Sequence, residues 1–298
     1  MGQSRLDLRD KRYFFGSRAR FLYELIGWQF RNAHHLRFMN YGYDGPHAAG
    51  LPPLDPDDAQ ERYCVSLYHA VAAQTDLSGA RILDVGSGRG GGLRFVHRHH
   101  GPEISIGLDL AVQAVRFCNR LYRDTKGLTF LHGDATALPF AAAEFDAVLN
   151  VESAHCYPDR PAFFANVARV LKPGGTFLHA DFTAAGSPPD TELQKTETEL
   201  RAAGFRDITF ADITDGIVRG LDRDSDRRHR EIGKRFPLGT RKLAALWAGT
   251  QGSWIYEDFR TGRRRYFMCR ASTKARSAIK RRPDPQRKPE LCPLPSLH

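Results

Sequence analysis

The residues richest in chemistry begin with the run Ile-Leu-Asp-Val-Gly-Ser-Gly-Arg-Gly-Gly-Gly at 82–92. Gly86, Ser87 and Gly88 make a turn in which the missing Cβ atoms let the backbone approach a ligand closely. Gly86, Gly88 and Gly91 also satisfy the pyrophosphate fingerprint of dinucleotide-binding dehydrogenases, so the turn alone is ambiguous. Asp84 tilts the reading. A carboxylate two residues before the first glycine suits a cationic amino-acid group and repels a pyrophosphate; a capping aspartate is the plainer alternative. Asp109, in IGLDL, stands where an acid accepts both hydroxyls of a ribose, a feature that nicotinamide sites share. Asp134, in GDATALPF, can accept the amino group of adenine, and Leu110 and Ala135 can offer apolar faces to the ring. Ordinary turn or surface aspartates are the alternatives at both positions.

These residues need a frame that brings them together. From Arg81 onward the chain alternates short apolar runs with amphipathic stretches, the signature of a mostly parallel α/β sheet with helices on both faces. The runs at 81–85, 104–108, 128–131, 145–150, 176–180, 207–211 and 265–269 predict seven strands in a Rossmann-like fold. Val112, Val115, Cys118 and Tyr122 form one helical stripe. Asp159, Arg160 and Pro161 open another helix, with Phe163, Phe164, Val167 and Leu171 on one face and Pro173, Gly174 and Gly175 as its stop. Asp55 before Pro56 predicts a capped helix reaching about Ala73. A further helix is expected near 192–203. In such sheets ligands bind outside the carboxyl ends of the strands, which places 150–155 at the same crevice as the glycine turn.

The domain reading has three parts. Residues 1–55 are rich in aromatic residues, with Phe21, Leu25 and Trp28 at helical spacing, and read as a helical lid. Residues 56–271 form the catalytic domain, with an insertion at about 213–264 on the substrate side. Residues 272–298 read as a disordered, basic, proline-rich tail. Net charge is +10, but much of that excess lies from Arg270 onward, where only Asp284 and Glu290 oppose the basic residues. The charge therefore argues weakly for nucleic acid. No run approaches the length of a membrane span, and the N-terminus has no export signature. The 5 cysteines are scattered, which predicts reduced thiols in the cytoplasm and no metal site.

The ordered set Asp-x-Gly-x-Gly, strand-end acid, Gly-Asp-Ala, fourth strand and Arg-Val-Leu-Lys-Pro-Gly-Gly resembles the class I S-adenosylmethionine-dependent methyltransferases. More narrowly, MNYGY at 39–43, the triple glycine at 90–92 and NVESAHCYP at 150–158 look like the phthiotriol dimycocerosate methyltransferases. These actinobacterial enzymes O-methylate lipid or polyketide-derived hydroxyls. The resemblance implies S-adenosyl-L-methionine as cofactor and S-adenosyl-L-homocysteine as product. It further implies that Gly86 and Gly88 line the methionine part, Asp109 the ribose and Asp134 the adenine, with Asn150 beside the sulfonium. It makes Lys172, Pro173, Gly174 and Gly175 a structural turn.

A hydroxyl is a poor nucleophile until deprotonated. His155, just beyond the fourth strand, is the best-placed base, since imidazole titrates near neutrality. A structural histidine is the alternative. Glu152 can orient His155, bind substrate or satisfy a backbone amide. Tyr41 and Tyr43 are expected at substrate or cofactor. The expected partner is a small-molecule acceptor methylated on oxygen, and a homodimer is compatible with the sequence. Carbon or nitrogen methylation, and an RNA or DNA substrate, remain as alternatives; Asn150-Val151-Glu152-Ser153 lacks the Pro-Pro-Tyr/Phe pattern of amino-methylating DNA enzymes.

Overall fold

The computed structural model describes residues 36–184, 186 and 188–275. Seven strands, β1 (Arg81–Val85), β2 (Ile104–Asp109), β3 (Leu128–His132), β4 (Phe145–Val151), β5 (Leu171–Phe182), β6 (Arg206–Asp212) and β7 (Tyr266–Ser272), form one sheet in the order β3-β2-β1-β4-β5-β7-β6. β1 to β5 pair in parallel, and β7 runs antiparallel to both β5 and β6. The strands that the spacing predicts are all present. β1 and β4 are covered on both faces, so they read as continuous apolar runs instead of alternating ones.

Two apolar clusters fill the two sides of the sheet. One joins Val65 and Leu67 of α2 (Arg62–Ala72), Phe95 of α3 (Gly91–His99) and Phe117 of α4 (Val112–Leu121). The other joins Phe163, Phe164 and Val167 of α5 (Arg160–Val170) to Leu200 of α6 (Pro189–Ala202).

Three expectations about elements change. The helix predicted from Asp55 begins as expected, with the Asp55 carboxylate accepting the Asp58 N–H at 2.9 Å. It stops after α1 (Pro56–Ala59) and restarts as α2, because Glu61 leaves helical geometry at φ −112° and its carboxylate accepts the Arg37 N–H at 2.8 Å. Leu171 is not on the helix face. α5 ends at Val170, and Leu171, Pro173, Gly174 and Gly175 lie within β5, where Gly174 at φ +81° accompanies a register shift opposite Phe145 and Ala147. Turn chemistry is present there, but strand pairing continues through it.

The proposed lid helix around Phe21, Leu25 and Trp28 falls outside the described residues, as does the tail from residue 276. Of the first segment, 36–55 are described: 36–44 run as an extended strap, and a short 3-10 helix follows at Pro46–Ala48. Gly42 adopts φ +83°, and a Cβ there would stand 2.9 Å from the Cβ of Tyr63. Arg228 clamps the strap by donating to the carbonyls of Asn40 (3.2 Å) and Tyr41 (2.9 Å). Arg228 belongs to α7 (Thr214–Arg235), which with α8 (Arg241–Trp247) and α9 (Trp254–Arg260) makes up the segment 213–264. These helices leave from Asp212 and return at Tyr266, which pair with Phe267 and Phe182. They therefore connect at the carboxyl edge of the parallel strands.

Candidate functional site

The glycine turn, the end of β4 and the end of β5 meet at that edge. Gly86 has φ +76°, and a Cβ on it would stand 2.2 Å from Ser153 Oγ and 2.9 Å from the Tyr157 hydroxyl. Only glycine fits so close an approach. Met39 of the strap lies above the same turn, 3.7 Å from a Cβ built on Gly88, and the Gly91 N–H donates to the Arg37 carbonyl.

Asp84 is fully buried on β1. Its Oδ2 accepts the Tyr68 hydroxyl at 3.3 Å, while Oδ1 has no hydrogen-bond partner. Burial, reinforced by the nearby charge of Asp109 and opposed by the Tyr68 bond, lifts this carboxyl from 3.8 to about 8. An orphaned buried carboxyl oxygen is costly unless a donor meets it. Asp109, half-buried, accepts the Gly88 N–H on Oδ2 and the Ala111 N–H on Oδ1, both at 2.8 Å. A carboxylate oxygen can accept more than one hydrogen bond, so these two bonds are compatible with a ligand hydroxyl on the same group. Leu110 is 40% exposed and Ala135 is buried. Asp134 is exposed and accepts the Thr136 N–H and hydroxyl, both on Oδ1 at 2.8 Å. Ser87 is buried with its hydroxyl facing β2, 2.7 Å from a Cβ built on Gly107, so its side chain packs beneath the turn.

Asn150, which the resemblance places beside the sulfonium, sits near the carboxyl end of β4. It is fully buried, and its Nδ2 donates to the Val85 carbonyl (2.8 Å) and lies within 2.7 Å of Ser153 Oγ and 3.1 Å of the Tyr157 hydroxyl. Its amide thus fastens the end of β1 to the loop after β4, with Oδ1 left unpartnered.

Glu152 follows at φ +50°, a conformation costing a non-glycine residue about 1–3 kcal/mol and concentrated at functional sites. Its Oε1 accepts both the Tyr41 N–H and the Tyr266 hydroxyl at 2.8 Å. Burial lifts its carboxyl to about 7 against those two bonds. Glu152 makes no hydrogen bond to His155. That contact comes from Asp181 at the end of β5, whose Oδ1 lies 2.8 Å from His155 Nδ1 and whose Oδ2 accepts the His155 backbone N–H at 2.9 Å. Burial works against a charged ring, but the neighbouring Cys156 and Asp181 outweigh it and hold His155 well above its ordinary value.

Of the two tyrosines expected at the ligand, the structure brings one to the site. The Tyr41 ring meets Phe182 at 5.7 Å and Phe259 at 5.6 Å. The Tyr43 ring packs against Gly216 of α7 at 1% exposure, and Gly220 faces the Gly42–Tyr43 backbone, a structural position. Phe182 joins the group: its ring lies tilted against His155 at 4.4 Å and 6.0 Å from Tyr266. Sequence reasoning missed Asp181, Phe182, Phe259, Tyr266, Ser153 and Tyr157. Asp181 carried one available signal, an acid at the carboxyl end of a predicted strand; the rings from β7 and α9 carried none, since pairing Phe182 with Tyr266 is a long-range event.

Among the described residues no group of His, Cys, Asp or Glu is placed to hold a metal ion, and no helix is long and apolar enough to cross a membrane.

A methyltransferase-domain family model matches residues 83–179, the stretch running from β1 through most of β5. The chain is 37% identical over 231 residues to the fatty-acid O-methyltransferase of Mycolicibacterium smegmatis, covering 78% of this chain and 81% of that one. It is 35% identical over 231 residues to the phthiotriol/phenolphthiotriol dimycocerosates methyltransferase of Mycobacterium tuberculosis, covering 78% and 83%. Among solved structures, the cyclase SpnF superposes with a TM-score of 0.65 at 21% identity, covering 88% of this chain and 97% of that one. The geranyl diphosphate C-methyltransferase of Streptomyces coelicolor gives 0.58 at 18%, covering 84% and 97%. At such identities the superpositions establish the fold alone. That one neighbour is a cyclase illustrates why a fold does not fix a reaction.

Proposed function

Because this chain belongs to the class I S-adenosylmethionine-dependent methyltransferases of the phthiotriol dimycocerosate methyltransferase type, we propose that it methylates an oxygen atom of a lipid- or polyketide-type small molecule. The observation that carries this reading is the wall formed by Tyr41, Phe182, Phe259 and Tyr266 around Glu152 and His155. An aromatic wall with two partly buried ionisable groups suits an apolar acceptor with one reacting polar atom. The names of the two mycobacterial relatives, a fatty-acid and a phthiotriol methyltransferase, point the same way.

The bound cofactor supplies an electrophilic methyl group on a sulfonium. In the proposed arrangement Asp84 Oδ1 meets the cofactor's ammonium, Asp109 holds the ribose hydroxyls, and Leu110, Asp134 and Ala135 border the adenine. The Gly86 turn lies along the methionine part, and Asn150 keeps the β1 and β4 ends in register beneath it. Glu152, fastened by Tyr41 and Tyr266, shapes the acceptor side, and His155 takes the proton of the acceptor hydroxyl. The segment 213–264 closes this side through Phe259 and the Arg228 clamp. The enzyme works in the cytoplasm, as a monomer or homodimer; the buried thiols of Cys64, Cys118 and Cys269 support a reducing compartment.

Incubation with methyl-labelled cofactor and separate lipid, small-molecule and RNA fractions of the host cell tests the reading. Label is expected in organic-extractable material, with none above background in RNA. Label confined to RNA overturns the proposed acceptor class.

A further inference from the structure

We infer that Asp181 is a positioning residue for methyl transfer: it fixes His155 as the Nδ1–H tautomer and leaves Nε2 to take the acceptor's proton. The inference rests on the proposed role of His155 and adds a residue and an atom to it.

Asp181 is 3% exposed at the carboxyl end of β5. Two backbone N–H groups and one ring nitrogen converge on its carboxylate: the His155 backbone on Oδ2, and the His155 ring Nδ1 and the Phe182 backbone N–H on Oδ1, at 2.8–2.9 Å. An ionised carboxylate only accepts hydrogen bonds, so the ring nitrogen facing it carries the hydrogen. The ring is restrained a second time by Phe182, the residue after Asp181, whose ring lies tilted against it at 4.4 Å. One dipeptide on β5 therefore sets both the rotation and the tautomer of a histidine on the loop after β4. The other ionisable groups near the ring are Cys156, whose side chain also hydrogen-bonds the ring and which the acceptor must displace if it occupies Nε2, Glu152 on the same loop, and His179 on β5, whose Nδ1 lies 3.1 Å from the Asn150 carbonyl.

The step balances simply. The acceptor oxygen forms a bond to the methyl carbon as the methyl–sulfur bond breaks, and that electron pair stays on sulfur. The hydroxyl proton passes to His155 Nε2. The resulting imidazolium is held against Asp181, which remains ionised.

The test uses the full chain with saturating cofactor and acceptor, comparing Asp181→Asn, His155→Ala and the double variant. Single-turnover rates are followed across pH, and 15N NMR reads the imidazole nitrogens. Asp181→Asn is expected to lower the plateau rate by about 10-fold or more without exceeding the His155→Ala loss, itself about 10²–10⁴-fold. It should also move the pH limb down toward the ordinary histidine value, and the double variant should be no slower than His155→Ala. A merely structural Asp181 would lower the melting temperature while leaving limb and tautomer in place, and its cost would multiply with that of His155→Ala; that result overturns the inference. Should the Asn variant fail to fold, wild-type 15N shifts decide: an Nδ1–H ring supports the inference and an Nε2–H ring contradicts it. Wild-type turnover in His155→Ala would instead remove the base assignment itself, while the NMR still reports on Asp181's hold.

Discussion

Replacing Asp84 with asparagine is expected to weaken S-adenosylhomocysteine binding by about 30-fold or more. Removing one partner of a buried, hydrogen-bonded charge pair costs about 2 kcal/mol or more, which is roughly that factor. Asparagine preserves the shape of the side chain and the Tyr68 contact, so the loss reports the charge facing the cofactor's ammonium. The pH dependence supplies an independent signature. Burial lifts the ligand-free carboxyl to about 8, whereas the complex requires the carboxylate, so binding releases a proton over the neutral range. Wild-type affinity should therefore rise as pH approaches 8 and then level off, and the variant should lack that slope. For the ligand-free fold the sign is opposite: a carboxyl raised above its ordinary 3.8 costs stability as pH climbs from there through about 8. Above pH 8 the ligand-free variant should melt no lower than wild type. Calorimetric titration across pH checks the first expectation and melting curves the second. Unchanged affinity in the variant would remove Asp84 from the cofactor site.

His155→Ala is expected to lower the chemical step by about 10²–10⁴-fold with cofactor affinity nearly unchanged. The sequence alone puts the associated pH limb near neutrality. Burial opposes the charged ring, but Cys156 and the ion pair with Asp181 outweigh it and move the limb upward, because the imidazolium is held above its ordinary 6.5. The ring must lose its proton to act as a base, so the wild-type rate should climb through a limb on the alkaline side of 6.5, and the variant should be flat there. The stability linkage follows the usual sign for a raised histidine: its contribution is full below 6.5 and fades as pH rises through the folded value. The melting-temperature gap between wild type and variant should consequently be wider at acid than at alkaline pH. Single-turnover rates and melting curves across pH measure both; near-wild-type turnover would shift the proton-accepting role toward Glu152.

The cofactor half of the site was legible because its parts are local. Asp84 and Gly86 are two residues apart, and Asp109 and Asp134 each follow a recognisable apolar run, so position along a strand already implied position in space. The acceptor half is assembled from distant segments. Tyr266 reaches Glu152 from β7, and Asp181 reaches His155 from β5; neither partner can be chosen without knowing the pairing of the strands. The long helix α7 was hidden for another reason. Its buried stripe of Ile217, Leu221 and Ile232 is interrupted by buried Asp224, Ser225 and Arg228, which erase the apolar period that marks a helix; Arg228, held by Asp224, is the clamp on the strap. At 173–175, Pro and Gly chemistry read correctly as an irregularity and wrongly as the end of an element, because the neighbouring strand absorbs the extra length in a register shift.

The account's central claim is that methyl transfer ends on oxygen in an apolar small molecule. Carbon-13 NMR of the product formed from cofactor labelled in the transferred methyl tests it most directly, since the shift of that carbon separates methyl on oxygen from methyl on nitrogen or carbon. The account predicts a single O-methyl resonance in an organic-extractable product, appearing in wild type and suppressed in His155→Ala. An N-methyl or C-methyl resonance, or label retained on nucleic acid, would contradict it.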